Sequence, residues 1–298
     1  MNHISTGLRA DNFGEWLASL GLLRVAATID PDSALAFSDS GEATLTTNAR
    51  ESEIAKALLS SAAPDSIRVE YLKKLSAPDS DSVRVGDQFF QTSSHLLSLT
   101  NKAKEFDQSE DSKKGCPVEL LALGGLRVRH FIGAARSEEA GLESPLILWA
   151  GMVTFQGILR ATCGNVASMS PGPLPEMFGI GGRQTQRFRF DHANEQFVDD
   201  GAHDSSAGRH SRSLVEWGAF VGLSFFPAGA GFETLSPMRR HVVSRIWKQP
   251  LDSQSTLLAL HSGQARIRRF FFAAPDGKMK KLRPITPPDQ SHNHTKKP

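Results

Sequence analysis

Cysteine is scarce in this sequence of 298 residues, which contains only Cys116 and Cys163. Two cysteines cannot form a disulfide framework, and their spacing does not resemble a metal-binding pair, so they suit a reducing compartment. The amino terminus lacks a basic start followed by an apolar run, and no apolar run reaches the roughly 18 residues that a membrane span requires. These absences predict a cytoplasmic protein with no membrane partner.

Signature motifs of several enzyme classes are also missing. The sequence contains no G-x-G-x-x-G, no G-x-x-x-x-G-K-[ST] and no G-x-S-x-G. Nucleotide hydrolysis is therefore not supported, and no serine nucleophile is indicated by its context. Cys163 ends an apolar segment and is interpreted as a small core residue rather than a nucleophile. No cofactor is predicted.

Charge is distributed unevenly along the chain. The formal net charge is +2, but residues 236–298 contain 13 Lys and Arg against 3 acids, a balance of +10. Residues 1–235 keep the remaining 21 basic and 29 acidic residues, a balance of −8. The carboxyl-terminal end is therefore suited to a polyanion or to an acidic partner.

The most apolar stretch, SLVEWGAFVGLSFFP at 213–227, is predicted to be the hydrophobic centre. Ser213 and Glu216 have the spacing of a capping box, so a helix is expected to begin there and to end near Gly222. Glu216 is the only charged residue between 214 and 226, so this segment must be packed on nearly every side. Residues 223–226 are predicted to be a buried strand.

The rest of the chain predicts an α+β fold with a mixed, largely antiparallel sheet, several helices and a basic C-terminal β-hairpin. Asn12 and Glu15 form a second capping-box pair, and apolar residues at helical spacing extend that helix over 12–28. Further helices are expected at 51–62 and 146–162, and strands at 34–37, 43–46, 67–71, 120–123 and 126–132. The predicted organisation is an N-terminal α+β region (1–100), a mobile charged loop (101–116), a central α+β core (117–263), a basic hairpin (264–286) and a disordered tail (287–298).

The basic hairpin carries the clearest functional signal. ARIRRFFFA at 265–273 and KMKKLRPI at 278–285 flank Pro275-Asp276-Gly277, a strong turn signal. Strand alternation places arginines and phenylalanines on one face, where cations neutralise phosphates and rings stack on bases. The alternative is an edge hairpin whose phenylalanines pack inward and whose charges protect the edge.

A second basic segment follows the glycine-rich sequence GIGG at 179–182. Backbone amides of such a loop can approach phosphates, and the guanidinium groups of the arginines that follow can bind phosphate oxygens through pairs of hydrogen bonds. The loop is alternatively a flexible connector. The candidate nucleic-acid-binding residues of both segments and of the link between them are Arg183, Arg187, Arg189, Arg239, Arg240, Arg266, Arg268, Arg269, Lys278, Lys280 and Lys281.

A competing hypothesis is a metal-dependent nuclease, because histidines and carboxylates cluster at 191–210. Its candidate ligands are His192, His203, Asp204 and His210. These residues lie in a polar segment rich in serine and glycine, without a predicted helix to fix ligand geometry. The sequence therefore favours a solvated loop over a metal site there.

Three segments resemble a CRISPR-associated family of type I-U (also called I-G) systems related to the Cascade large subunit. DNFGEWLASLGLLRVA at 11–26 is similar to an N-terminal family element, and LILWAGMV at 146–153 resembles a Leu-x-x-Trp-Ala-Gly segment. The order FRFD, DDG, SRSLVEWGAFVGLSFFPA and IWKQPL, up to residue 251, resembles the family's central run. Most of residues 11–251 lie within the span of these segments.

The resemblance implies a non-catalytic subunit of an RNA-guided antiviral complex. Its implied partners are crRNA, target double-stranded DNA, other Cascade subunits and the helicase-nuclease that such complexes recruit. In related complexes the large subunit reads the short motif beside the target, which basic side chains would do at guanine edges. A backbone-like subunit that clamps guide RNA with residues 179–182 is a further alternative.

Overall fold

The structure is a computed structural model. It describes residues 1–62, 68–72, 85–91, 117–122, 126–131, 155–184, 190–191, 209–226, 241–262, 267–276 and 279–285. The predicted charged loop at 101–116 and the predicted tail at 287–298 lie outside these ranges.

The described elements form an α+β fold with antiparallel strand pairing, as the sequence predicts. The strands are β1 (Asn2–Arg9), β2 (Ala34–Phe37), β3 (Glu42–Thr47), β4 (Arg68–Leu72), β5 (Val85–Gln91), β6 (Pro117–Ala122), β7 (Leu126–Phe131), β8 (Gly182–Gln184), β9 (Arg209–Ser211), β10 (His241–Ile246), β11 (Leu251–Asp252), β12 (Ile267–Asp276) and β13 (Met279–Ile285). The helices are α1 (Phe13–Ala26), α2 (Glu51–Ser61), α3 (Phe155–Ala167), α4 (Leu174–Gly179), α5 (Ser213–Gly222) and α6 (Ser253–Ser262), with a 3-10 turn at Leu223–Phe225. No helix in the described part of the chain combines the length and the apolar character needed to cross a membrane.

The strands form four sheets. Their orders are β1-β3-β2-β11, β5-β4-β6-β7, β8-β9 and β10-β12-β13. In the first sheet β3 lies between β1 and β2, so β1, α1 and β2 make a split β-α-β unit. The two-residue strand β11 pairs Leu251 with Leu35 and thereby adds the carboxyl-terminal part of the chain to an amino-terminal sheet.

Helices α1 and α5 pack against each other at the centre of the molecule. A Cβ atom on Gly21 would lie only 2.0 Å from the carbonyl oxygen of Gly218, so a larger residue cannot fit without moving the helices apart. Around this contact, Trp16 and Trp217 are among the largest fully buried side chains. The predicted apolar centre therefore coincides with the observed core.

Buried tryptophans connect segments that are distant in the sequence. The indole N–H of Trp16 donates to the Arg245 carbonyl at 2.9 Å, and that of Trp247 donates to the Leu35 carbonyl at 2.7 Å. The indole of Trp217 donates to Ser61 Oγ at 2.9 Å. Because each buried N–H has an acceptor, these rings fill the core without leaving an unpaired donor.

Several sequence predictions need correction. Residues 223–225 form a 3-10 turn rather than a buried strand, because the amide of Phe226 bonds back to the carbonyl of Leu223. A short apolar run does not distinguish a strand from a turn of helix by periodicity alone. The helix predicted at 146–162 is observed as α3, which begins at Phe155 and extends to Ala167, and residues 146–154 lie outside the described ranges.

Candidate nucleic-acid interface

The sheet β10-β12-β13 collects many of the basic residues at the carboxyl-terminal end. Its three strands contain six Lys or Arg residues (Arg245, Arg268, Arg269, Lys280, Lys281 and Arg283) and one acid, Asp276. The hairpin β12-β13 has the predicted position, and the paired part of β12 extends through Pro275 and Asp276. The pairing of β12 with β10 was not predicted.

The register fixes the basic positions relative to one another. Arg268 is directly opposite Arg245, and Arg269 is directly opposite Ser244. On the other side of β12, Lys281 is opposite Ala274 and Lys280 is opposite Pro275. Because β12 is held by a neighbour on each side along part of its length, these residues lie on a sheet rather than on an isolated hairpin.

Arg245 anchors this sheet to the rest of the protein. The Arg245 residue is 9% exposed, and its guanidinium donates to the Leu260 carbonyl on α6 at 2.5 Å. Its own carbonyl accepts the indole N–H of Trp16 on α1. Arg245 thus supports the sheet from the core and is not itself a surface cation.

The second predicted segment contains the strand β8, which pairs with β9. Arg183 on β8 is opposite His210 on β9, and Gly182 is opposite Ser211. In the GIGG segment, Gly179 ends α4 and Ile180 is 53% exposed. This part of the chain is therefore accessible, as a contact with a phosphate backbone requires.

Other predicted residues lie outside the described ranges. They are Arg187, Arg189, Arg239, Arg240, Arg266 and Lys278 among the nucleic-acid candidates, and His192, His203 and Asp204 among the metal candidates. Within the described ranges, no group of three or more His, Cys, Asp or Glu side chains is placed to hold a metal ion.

A buried ionic network lies directly beside the second basic segment. Arg212, just before α5, donates from Nε to Asp191 Oδ2 at 2.9 Å and from one terminal nitrogen to Asp191 Oδ1 at 2.6 Å. The same terminal nitrogen donates to Glu15 Oε1 at 2.5 Å. Asn12 completes the cluster by donating from Nδ2 to Asp191 Oδ1 at 3.0 Å. Residues far apart in the sequence are thus joined by charge-assisted hydrogen bonds.

The electrostatics of the network follow from its burial. Burial raises the pKa of Glu15, although the charge and hydrogen bond of Arg212 oppose that shift. Burial alone would lower the pKa of Arg212, but the hydrogen bonds and charges of Asp191 and Glu15 raise it above its ordinary value. Arg212 therefore remains a cation, and its role is to hold carboxylates rather than to exchange protons.

Glu216 has a different role from the one that the sequence predicts. Arg212 is the N-cap of α5, and the Glu216 carboxylate accepts the backbone amides of Phe190 at 3.2 Å and Asp191 at 3.1 Å. The capping box predicted for Ser213 and Glu216 is therefore wrong, because Glu216 accepts the amides of residues 190 and 191 and not the amide of the residue that caps its own helix. Glu216 fixes the backbone immediately after Arg189.

The pair Asn12 and Glu15 is only half of a capping box. Asn12 Oδ1 accepts the amide of Gly14 at 2.9 Å, which confirms the predicted helix start. The Glu15 carboxylate instead accepts the amide of Arg9 at 2.7 Å, and so connects the end of β1 to the network. A Cβ atom on Gly14 would lie 2.5 Å from the Phe190 carbonyl carbon, so glycine permits the 190–191 backbone to approach α1.

The network fixes the chain at residues 190–191 and at residue 212. It consists of Arg212, Asp191, Glu15 and Glu216. Sequence reasoning did not identify this network, because no local spacing relates Glu15 to Arg212, which is 197 residues away. The only sequence signal was an acid in an otherwise apolar helix, at Glu216. The network supplies positioning for the adjoining segments rather than a reactive group.

Comparison with known proteins does not assign this chain to a family. No family model matches the sequence, and no curated protein is significantly similar to it.

Proposed function

We propose that this protein is a non-catalytic, nucleic-acid-binding subunit of a type I CRISPR RNA-guided complex. The observation that carries the nucleic-acid part of the proposal is the basic sheet β10-β12-β13, with Arg268, Arg269, Lys280 and Lys281 on two paired strands. The CRISPR part is supported by the resemblance of residues 11–26, 146–153 and 187–251 to the large-subunit-related family.

The physical basis of binding is electrostatic. Arginine and lysine side chains on a sheet release counterions when they contact phosphates, which gives affinity with little sequence preference. The Phe270 and Phe272 positions on the same strand supply rings of the kind that stack on bases. In this proposal crRNA or target DNA occupies the sheet, and reading of the short motif beside the target uses arginines at guanine edges.

The direct test is co-purification of the tagged protein with the products of its neighbouring genes and a CRISPR array. Recovery of stoichiometric guide RNA with several protein partners is expected. Recovery of the protein alone, free of nucleic acid, would contradict the assignment to such a complex. Cleavage of nucleic acid that stops on addition of a chelator would favour the metal-dependent nuclease instead.

The sheet itself is tested by the double substitution Arg268→Ala/Arg269→Ala. Consecutive strand residues lie on opposite faces of a sheet, so the double substitution removes one phosphate contact whichever face binds. This loss is expected to weaken binding to single-stranded DNA and to reduce the slope of log affinity against log salt by about 0.7. The matched control is Arg50→Ala/Lys56→Ala, which removes two positive charges at exposed positions on and beside α2. Equal affinities and salt slopes for the two variants would show that the sheet is structural.

A further inference from the structure

The strand register divides the residues of the sheet β10-β12-β13 between two faces. Successive positions of a strand alternate between the faces, and positions paired across strands share a face. One face, here called the arginine face, carries four of the six Lys and Arg residues of the sheet: Arg245, Arg268, Lys281 and Arg283. The other face carries the remaining two, Arg269 and Lys280. The basic residues are therefore concentrated on one side of the sheet.

The opposite face, here called the apolar face, continues the hydrophobic core. Its positions include Val242, Ile246, Ile267, Phe271, Ala273, Leu282 and two prolines, Pro275 and Pro284. On this face of β10, Ser244 and Ile246 are 0% and 1% exposed, and Ile246 belongs to the core cluster. Because the apolar face joins the core at this end of the sheet, the arginine face is the better placed to receive a ligand.

The arginine face is itself covered at one end. The guanidinium of Arg245 donates to the Leu260 carbonyl on α6, so α6 lies beside this end of the face. His241 lies four residues before Arg245 on β10, about 13 Å away along the strand. In the described part of the chain, no helix or strand from outside this sheet packs extensively along β12 or β13. A ligand is therefore expected toward the His241 end.

The positions at that end alternate rings and cations. Phe272 is directly opposite His241 on one neighbouring strand and Arg283 on the other. Lys281 is the next position of the arginine face on β13, and Phe270 is the preceding one on β12. Rings two residues apart on a strand are about 7 Å apart, so each can stack one base while neighbouring cations contact phosphates.

This pattern favours a single strand over a duplex. The bases of a duplex are stacked on one another, whereas unpaired bases present their faces to aromatic side chains. An acidic peptide would match the cations, but it would give the rings at 270 and 272 no base to stack on. Single-stranded nucleic acid matches both the cations and the rings.

We propose that the arginine face binds a single strand of nucleic acid, with bases on Phe270 and Phe272 and phosphates on Lys281 and Arg283. The sequence did not indicate Arg283 as a binding residue. This inference rests on the nucleic-acid part of the proposed function, to which it adds one face of the sheet and one form of the ligand. It is independent of the CRISPR part.

Two double substitutions test the choice of face. Lys281→Ala/Arg283→Ala changes the arginine face, and Arg269→Ala/Lys280→Ala changes the apolar face. Each variant removes two positive charges from the same sheet, so long-range attraction of a polyanion falls similarly in both. Fluorescence anisotropy measures binding of a single-stranded 20-mer at several salt concentrations. DNA and RNA of the same sequence are compared, since both present bases and phosphates.

The two variants are expected to differ in affinity and in salt dependence. Lys281→Ala/Arg283→Ala is expected to bind the 20-mer about tenfold more weakly or worse, because charge-assisted hydrogen bonds to phosphates are lost. Its slope of log affinity against log salt is expected to fall by about 1.4. Arg269→Ala/Lys280→Ala is expected to keep the wild-type slope. Tighter binding of RNA or of DNA would identify which of the two the face prefers, and either result supports the proposal.

The substitution Phe272→Leu tests stacking separately from charge. It is expected to weaken single-strand binding by about fivefold or more with an unchanged salt slope, and to leave binding of a duplex of the same sequence unchanged. Phe271→Leu, at the adjacent position on the apolar face, is the control and is expected to bind like the wild type. Thermal unfolding verifies that each variant folds. If Phe272→Leu does not fold, Phe270→Leu replaces it.

The contrary outcomes separate this inference from the proposed function. Equal losses in the two double variants, or a loss only in Arg269→Ala/Lys280→Ala, would overturn the choice of face and leave the sheet as a nucleic-acid site. Wild-type affinity in Phe272→Leu, or an equal loss for single strand and duplex, would overturn the stacked single strand. Wild-type affinity in both double variants, or no binding by the wild type, would contradict the inference and the role of the sheet together.

Discussion

Asp191 accepts two hydrogen bonds from the guanidinium of Arg212, with distances of 2.9 Å to Oδ2 and 2.6 Å to Oδ1. The Asp191 residue is 2% exposed, and its backbone amide is bound by Glu216. This pair therefore fixes both the side chain and the main chain of the residue that follows the RFRF segment at 187–190.

Substitution of Arg212 is expected to be strongly destabilising. Arg212→Leu leaves the carboxylates of Asp191 and Glu15 buried without their cation, and breaking a buried pair in this way costs about 3–5 kcal/mol. The measurement is the free energy of unfolding in urea. Arg9→Leu is the control, because the Arg9 pairs with Asp11 and Glu42 are exposed and such pairs contribute about 0–1 kcal/mol. Similar losses for both variants would contradict the role assigned to Arg212.

Stability is expected to depend on pH through Glu15. Because burial raises the pKa of Glu15 in the folded protein, the folded state binds a proton more strongly than the unfolded state. The free energy of unfolding should therefore decrease as pH rises from near the unfolded value of 4.5 through the folded pKa, and then level off. Glu15→Gln keeps an acceptor oxygen for Arg212 and should remove this part of the pH dependence. Parallel pH profiles for the two proteins would exclude Glu15 as its source.

Adding a single methyl group at the contact between α1 and α5 is expected to destabilise the protein. Gly21→Ala places a Cβ atom at 2.0 Å from the Gly218 oxygen, and the resulting shift of the helices should cost about 1–3 kcal/mol. Gly164→Ala is the control, since nothing lies within 4 Å of its added Cβ on α3. That substitution should stabilise the protein by about 0.5–1 kcal/mol, because alanine is the better helix former. Thermal or urea unfolding distinguishes these opposite signs.

Elements with strong local signals could be predicted from the sequence. The Asn12 cap located α1, and the segment at 34–46 formed a hairpin. The predicted hairpin of β12 and β13 is also present, although Pro275 and Asp276 of its predicted turn pair as part of β12. In each case the residues that determine the structure lie within a few positions of one another. Local propensity and tertiary packing agree in these elements, which is why the pattern was sufficient.

Elements that depend on distant partners could not be predicted. Strand β1 buries Ile4, Thr6 and Leu8 on one face, but a threonine in the middle weakens its apolar alternation. The Ser213–Glu216 spacing indicated a capping box, yet Glu216 binds amides 25 and 26 residues away. The pairing of β10 with β12 and the hydrogen bonds of Arg212 likewise join residues that are far apart in the sequence. No pattern of nearby residues predicts such contacts.

The short strand β11 means that the first sheet is complete only after the chain has been synthesised as far as residue 252. Leu35 pairs with Leu251, 216 residues later, and its carbonyl is the acceptor for Trp247. At elongation rates of about 5–20 residues per second, the edge of β2 emerges from the ribosome about 10–40 s before its partner. During that interval the exposed edge is a site for misassembly or for chaperone binding. Nascent chains stalled before residue 241 are therefore expected to occupy chaperones that the finished protein does not need.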